Sequence, residues 1–142
     1  MINRRRNLSF LIIGSIIIVL VALNQIRLTT KKNRLNRSGI LTSGIVTNCK
    51  LLPKNGNSLR VFYFFINKGT VCQSETSITG IYLKDFNSAF LNKNFPVLHL
   101  AGDCDINEIL ITPDRFERFG LAFPDTLKWV LKFWNKDYYR FD

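Results

Sequence analysis

The densest group of chemically capable side chains is His99, the only histidine, followed four to six residues later by Asp103-Cys104-Asp105. Imidazole, thiolate and carboxylate are ordinary ligands for zinc, and carboxylates for calcium, but this offset matches neither zinc-site spacings nor the calcium loop. His99 sits between Leu98 and Leu100 in an apolar segment, where a lone histidine is a packed or surface residue. Nucleophilic catalysis requires a Ser or Cys within hydrogen-bond reach of a base, and only His99 or a carboxylate is present to serve. No flanking motif positions such a nucleophile. The eight glycines are scattered singly, so no phosphate-cradling loop is present. The sequence assigns no catalytic, cofactor-binding or metal-ligating residues, and the expectation is a chain that is not an enzyme and carries no cofactor.

The three cysteines, Cys49, Cys72 and Cys104, are the remaining reactive groups. Lys54-Asn55-Gly56-Asn57 and Asn67-Lys68-Gly69 read as hairpin turns because Asn and Gly accept positive φ. With those turns as pivots, Cys49 falls opposite Tyr63 and Cys72 opposite Phe64. The outer strands of such a meander lie about 9.5 Å apart, beyond disulfide reach, so a Cys49–Cys72 bridge is not expected. An odd count leaves at least one thiol free or bonded to another chain. The preferred reading is of cysteines buried as small hydrophobes.

The elements that must position these residues read as strands, because β-branched and aromatic runs alternate with turn residues after Ser38-Gly39. Strands are expected near Ile40–Cys49, Leu59–Ile66, Thr70–Ile78, Phe95–Leu100 and Glu108–Ile111, the first three as a meander. The second, Arg60-Val61-Phe62-Tyr63-Phe64-Phe65-Ile66, is apolar at every second position on both faces and is expected to be central and covered on both sides. The third is more polar and suits an edge or a half-exposed position. The expected core draws on Val61, Phe62, Phe64, Phe65, Ile66, Val97, Leu98, Ile109 and Ile111. Between Gly80 and Asn94, Leu83, Phe86, Phe90 and Leu91 form either one helical face or a loop pinned by aromatics.

Thr112-Pro113-Asp114 offers an N-cap, a proline at the first helical position and an acid in the first turn, so a short helix is expected to run to about Phe119, with Gly120 closing it. A second helix, from about Pro124 to Asn135, would place Leu127, Val130, Leu131 and Trp134 on one stripe. The fold class is therefore mainly β: a single N-terminal transmembrane helix, a small five-stranded sheet or barrel-like domain, and two short C-terminal helices. The divisions are 1–28 for the tail and membrane helix, 29–38 for a basic polar stalk, 39–112 for the β domain and 113–142 for the aromatic-rich helical end.

The anchor is read from Leu8 to Leu23, a stretch without charge that Ile26 and Leu28 extend to about 20 residues, enough for a ~30 Å hydrocarbon layer. A cleaved signal peptide is the rival, but Val21-Ala22-Leu23-Asn24-Gln25 lacks the small-x-small cleavage pattern, so retention is expected. The chain carries a net charge of +10. Residues 1–37 hold eight basic residues and no acid, whereas the rest hold twelve against all ten acids. The basic character therefore belongs to the membrane flanks, Arg4, Arg5, Arg6, Arg27, Lys31 and Lys32 among them, and anionic headgroups explain it better than nucleic acid. Counting flanking charge gives nearly a tie for orientation. The three-arginine N-terminus favours the soluble domain on the outer, periplasmic or extracellular side of a cell (inner) membrane.

Ser43-Gly44-Ile45-Val46, the aromatic strand ending in Asn67-Lys68-Gly69-Thr70-Val71, the later Phe95-Pro96-Val97-Leu98 and a short closing strand form a pattern. Over residues 39–112 it resembles a bacterial domain-of-unknown-function family of small membrane-anchored β domains, with a G-x-V strand, an aromatic strand and an N/D-G hairpin. Asn92-Lys93-Asn94 replaces that family's Gly-Asp turn, and Gly102-Asp103-Cys104-Asp105 its Pro-rich turn. The resemblance implies a fold and supplies no activity.

Functionally, the sequence points to a non-enzymatic interaction or accessory subunit of a membrane-associated complex, with a small-molecule or envelope-component sensing domain as the alternative. Partners are the bilayer, through residues 8–28, and a protein in the membrane or envelope, with no nucleic acid. The helix stripe is expected to dock on the sheet. The surplus aromatics Trp129, Phe133, Tyr138, Tyr139 and Phe141 are candidates for contact with lipid headgroups or a partner.

Overall fold

The structure is a computed structural model that describes residues 2–53 and 58–135; the expected Lys54–Asn57 turn and the tail residues Tyr138, Tyr139 and Phe141 lie outside the described residues. The chain divides into two compact units, one up to Arg34 and one from Leu35 onward. Helix α1 (Ile2–Ser38) supplies the first unit and continues for one turn into the second. Its large apolar side chains between Ile13 and Leu28 each leave more than half their surface uncovered. Among the described residues, Ile13–Ser38 is the stretch long and apolar enough to cross a membrane. A run this rich in isoleucine and valine is a modest helix former in water, but in lipid the backbone must satisfy its own hydrogen bonds and helix is the local solution.

The second unit is built on five antiparallel strands, β1 (Gly39–Leu51), β2 (Ser58–Asn67), β3 (Thr70–Thr79), β4 (Asn94–Leu100) and β5 (Asp103–Ile109), in the spatial order β3-β2-β1-β4-β5. The meander of the first three is as expected, but β1 and not β2 is the middle strand. At 13 residues β1 is long enough to pair with β4 over Gly39–Ile45 and with β2 over Gly44–Leu51. Gly44 sits where the two pairings overlap. A Cβ there would lie 2.5 Å from a methyl of Val97 and 3.0 Å from the Phe64 carbonyl oxygen, so only glycine lets the three strands close up.

The strong curl of the sheet brings β3 round to face β5, giving a nearly closed barrel. Cys72 and Cys104 form a disulfide across this seam, their Cα atoms 5.4 Å apart, and Thr76 Oγ1 donates to Glu108 Oε1 at 3.4 Å. This corrects the reading of the cysteines as three buried hydrophobes: only Cys49 is a free, buried thiol. Flat strand order hides the pairing, because β3 and β5 are the two ends of that order.

Along β2 the inward side chains Leu59, Val61, Tyr63 and Phe65 are buried, whereas Phe62 and Phe64 are only half-buried and Ile66 is exposed. The expectation of cover on both faces fails here, and Phe62, Phe64 and Ile66 leave the core list. No described element packs over this face of β2 in the way that helices cover a parallel sheet. The other expected core residues, Val97, Leu98, Ile109 and Ile111, are buried.

β5 begins five residues earlier than expected. Gly102 takes a positive φ of 76°, and the Asp103 carboxylate accepts the N–H groups of Asp105 and Ile106, so Asp103-Cys104-Asp105 forms a turn and the start of a strand. The ambiguous segment contains helix α2 (Leu83–Ala89) with Phe86 buried. Helix α3 (Pro113–Arg118) starts at the expected proline, and Gly120 closes it with φ 65°; Thr112 holds the N-cap position without a side-chain cap bond. The last helix is a 3₁₀ helix over Asp125–Lys132 and not an α-helix. With three residues per turn, Leu127 and Val130 stack on the buried line that Phe133 extends, and Leu131 turns out to 45% exposure, so the expected α-helical stripe does not form.

Candidate functional site

The most fully built polar cluster lies on the β3–β5 seam. Pro113 starts α3 so that Arg115, two residues on, points back over the barrel edge, where only 6% of it is exposed. Its guanidinium donates to Glu108 of β5, to the Ser77 carbonyl of β3 and, at 3.0 Å, to Thr76 Oγ1. The planar fork thus spans two strands that share no backbone ladder, with the Glu108 carboxylate balancing its charge. Beside it opens a cleft of about 320 Å³ lined by Ser77, Thr79, Thr112, Asp114, Arg118 and Trp134. Arg115 commits its donors to the seam, so it acts as a clasp, and the cleft mouth carries charges of both signs.

A second polar network crosses the barrel interior towards the end at which β1 begins. The buried Tyr63 hydroxyl donates to Asn107 Oδ1, and Asn107 Nδ2 donates to the Cys104 carbonyl at 2.6 Å. Burial pushes the Tyr63 phenol up to about 12. Asn67, 3% exposed, donates to the Leu100 carbonyl at 3.0 Å and accepts the Gly102 N–H at 3.0 Å, which ties the β2–β3 turn to the β4–β5 turn. His99 donates from Nδ1 to the Leu100 carbonyl at 3.1 Å and packs its ring 5.1 Å from that of Phe65. It is a core residue. The sulfur of Cys104 is bonded to Cys72, so the His99, Asp103, Cys104 and Asp105 group cannot act as a thiolate metal site. The Cys49 thiol donates to Asn87 Oδ1 at 3.2 Å, and burial raises its pKa.

Of the contact candidates, Trp129 and Phe133 are half-buried in an aromatic stack. The Phe90 ring lies 4.7 Å from Phe86, 5.0 Å from Trp129 and 5.7 Å from Phe133, and Trp129 also meets Phe95 at 6.0 Å. This stack plugs the barrel end away from the start of β1, so both residues have a structural role that the 3₁₀ winding dictates and that an α-helical wheel could not reveal. Arg27, Lys31 and Lys32 lie on α1, whose backbone also carries Arg4, Arg5 and Arg6. The Arg115 clasp was not legible in sequence, since its partners Thr76, Ser77 and Glu108 are up to 39 residues away. No protein-family model, curated protein or solved structure matches this chain.

Proposed function

We propose that the chain is a membrane-tethered, non-enzymatic interaction module, an accessory subunit of a membrane or envelope complex, whose β domain sits on the outer, oxidising side. The observation that carries the reading is the filled barrel interior. Tyr63, Phe65, Phe86, Phe90 and Phe95 are each at most 2% exposed, which leaves the outer surface as the place where this domain meets other molecules. The Cys72–Cys104 bond supports the outer location, because such bonds persist in oxidising compartments. It adds to the support that the three-arginine N-terminus lends to this orientation. The barrel with Gly44 at its strand crossing supports the resemblance to the anchored β-domain family as part of the same proposal. The sensing alternative has one observation in its favour, the 320 Å³ cleft at the seam, near the lower end of ligand-pocket sizes.

Crosslinking in native membranes followed by mild-detergent purification tests the proposal: a reproducible protein partner is expected, and a chain recovered only as a lone monomer overturns it. For location, Cys72 and Cys104 of chain taken directly from cells should resist alkylation until reduced; immediate labelling of both overturns the outer placement.

A further inference from the structure

The cleft beside the Arg115 clasp lies wholly within the second unit, and one of its walls holds a polar group that the fold leaves without a use. Thr112 is 2% exposed and stands at the N-cap position of α3, yet its side chain makes no cap bond and no other hydrogen bond among the described residues. No side-chain oxygen in that state is fully shut off from its surroundings, so the little surface that Thr112 keeps includes its hydroxyl, and the cleft is what it lines. A buried hydroxyl loses its hydrogen bonds to bulk water, and a fold that gains nothing from it in return leaves it for a partner that enters the cleft.

We propose that this cleft binds a single uncharged pyranose ring, an assignment that goes beyond the interaction-module reading and does not depend on how α1 is placed. Charge is the first argument. Asp114, Glu117 and Arg118 are exposed at the cleft, and Arg115 is already balanced by Glu108. Two carboxylates beside one guanidinium repel an anion, and the guanidinium weakens their pull on a cation. What the three offer together is acceptors and a donor for neutral hydroxyls, in charge-assisted bonds that are stronger than neutral ones. Shape is the second argument. Trp134 supplies a flat apolar wall, and the volume of about 320 Å³ has room for one or two sugar rings, whose C–H face can lie on an indole while the hydroxyls at the rim reach Thr112 and Thr79. Rigidity is the third. The Trp134 N–H donates to the Val130 carbonyl at 3.1 Å, and the Asn135 N–H donates to the Gly80 carbonyl at 2.8 Å, which fastens the end of the 3₁₀ helix to the end of β3. The indole lies over the bare Cα of Gly80: a Cβ there would come within 3.0 Å of Trp134 Cδ1. On the other wall Arg115 holds the Ser77 carbonyl, so the cleft is formed before any ligand arrives and little ordering is left for binding to accomplish.

The test uses the full chain labelled with 5-fluorotryptophan, in phosphocholine micelles because detergents with sugar headgroups would compete. The chain has two tryptophans, so fluorine NMR reports Trp134 at the cleft and Trp129 in the aromatic plug as separate resonances. Glucose, galactose, N-acetylglucosamine and their methyl glycosides are titrated to tens of millimolar. At least one is expected to move the Trp134 resonance saturably and leave that of Trp129 in place. Equal affinity for a methyl glycoside and its parent sugar identifies the end unit of a glycan as the source of the ring, and affinity lost on methylation identifies a free sugar; either bears out the proposal. Thr112→Val keeps the side chain's shape and removes a hydroxyl that the fold does not use, so it is expected to leave thermal melting unchanged and weaken binding about fivefold, the worth of one hydrogen bond. If that variant melts early, Arg118→Gln, at an exposed position on the same cleft, is expected to show a similar loss. No movement of the Trp134 resonance with any of the sugars overturns the proposal. So does a response to sodium phosphate or acetate alone, which would make the cleft an anion site, and so does sugar binding that the folded variants leave intact. Crosslinking to a protein partner is a separate readout, and its result stands whichever way the titration falls.

Discussion

The two ends of the barrel are closed by different physics. At the end away from the start of β1, Phe86, Phe90, Phe95, Trp129 and Phe133 fill the opening with aromatic rings whose centroids lie within about 6 Å of their neighbours. At the end where β1 begins, the Cys72–Cys104 bond, the Asn67 clasp and the Tyr63–Asn107–Cys104 relay close the structure. Apolar burial is non-directional and tolerates small shifts, whereas hydrogen bonds and a disulfide fix two turns in one geometry. The β2–β3 and β4–β5 turns are held by the second kind of closure. A plug that only has to exclude water is served by the first.

The comparison can be broken by attacking each end. Phe90→Ala removes a ring that is 0% exposed and touches four others, so a loss of about 3–5 kcal/mol is expected in denaturant melts of the full chain in detergent. A loss below ~1 kcal/mol would mean that the plug does not hold the fold together. Reducing the disulfide, which closes a segment with a sequence separation of 32, should cost about 3–4 kcal/mol, and Cys72→Ser with Cys104→Ser should match that loss and no longer respond to reductant. An unchanged midpoint on reduction would show that hydrogen bonds alone secure this end.

A smaller effect is expected at high pH. The Tyr63 phenol is raised from 10.0 to about 12 in the fold, so the unfolded chain gives up this proton first. The stabilisation is fully present below pH 10 and is lost as pH rises through about 12, at roughly 1.4 kcal/mol per pH unit. Tyr63→Phe should flatten that part of the stability profile; an unaltered slope would rule out the buried phenol as its source. The smallest effect separates the two faces of β2. Phe64→Ala should cost about 1 kcal/mol and Phe65→Ala several times more, and equal losses would mean that the outer face is covered after all.

Local chemistry decided much of this protein. A charge-free run between basic flanks makes the first helix a membrane-spanning candidate, since backbone polar groups in lipid leave helix as the solution. β-branched runs broken by Asn-Lys-Gly and similar turns placed the first four strands within a few residues, and Pro113 with Gly120 bounded α3, because these signals act over neighbouring positions. The curl of the sheet is a different matter, for it accumulates from small twists along every strand and no residue encodes it alone. From it follow the Cys72–Cys104 bond and the reach of Arg115 to β3, which join Cys72, Thr76 and Ser77 to residues 32 to 39 positions away. The choice of 3₁₀ over α winding after Pro124 also belongs to the tertiary structure. There the aromatic plug set which side chains had to line up, and packing against Phe90 and Phe95 outweighed the intrinsic preference for the wider helix.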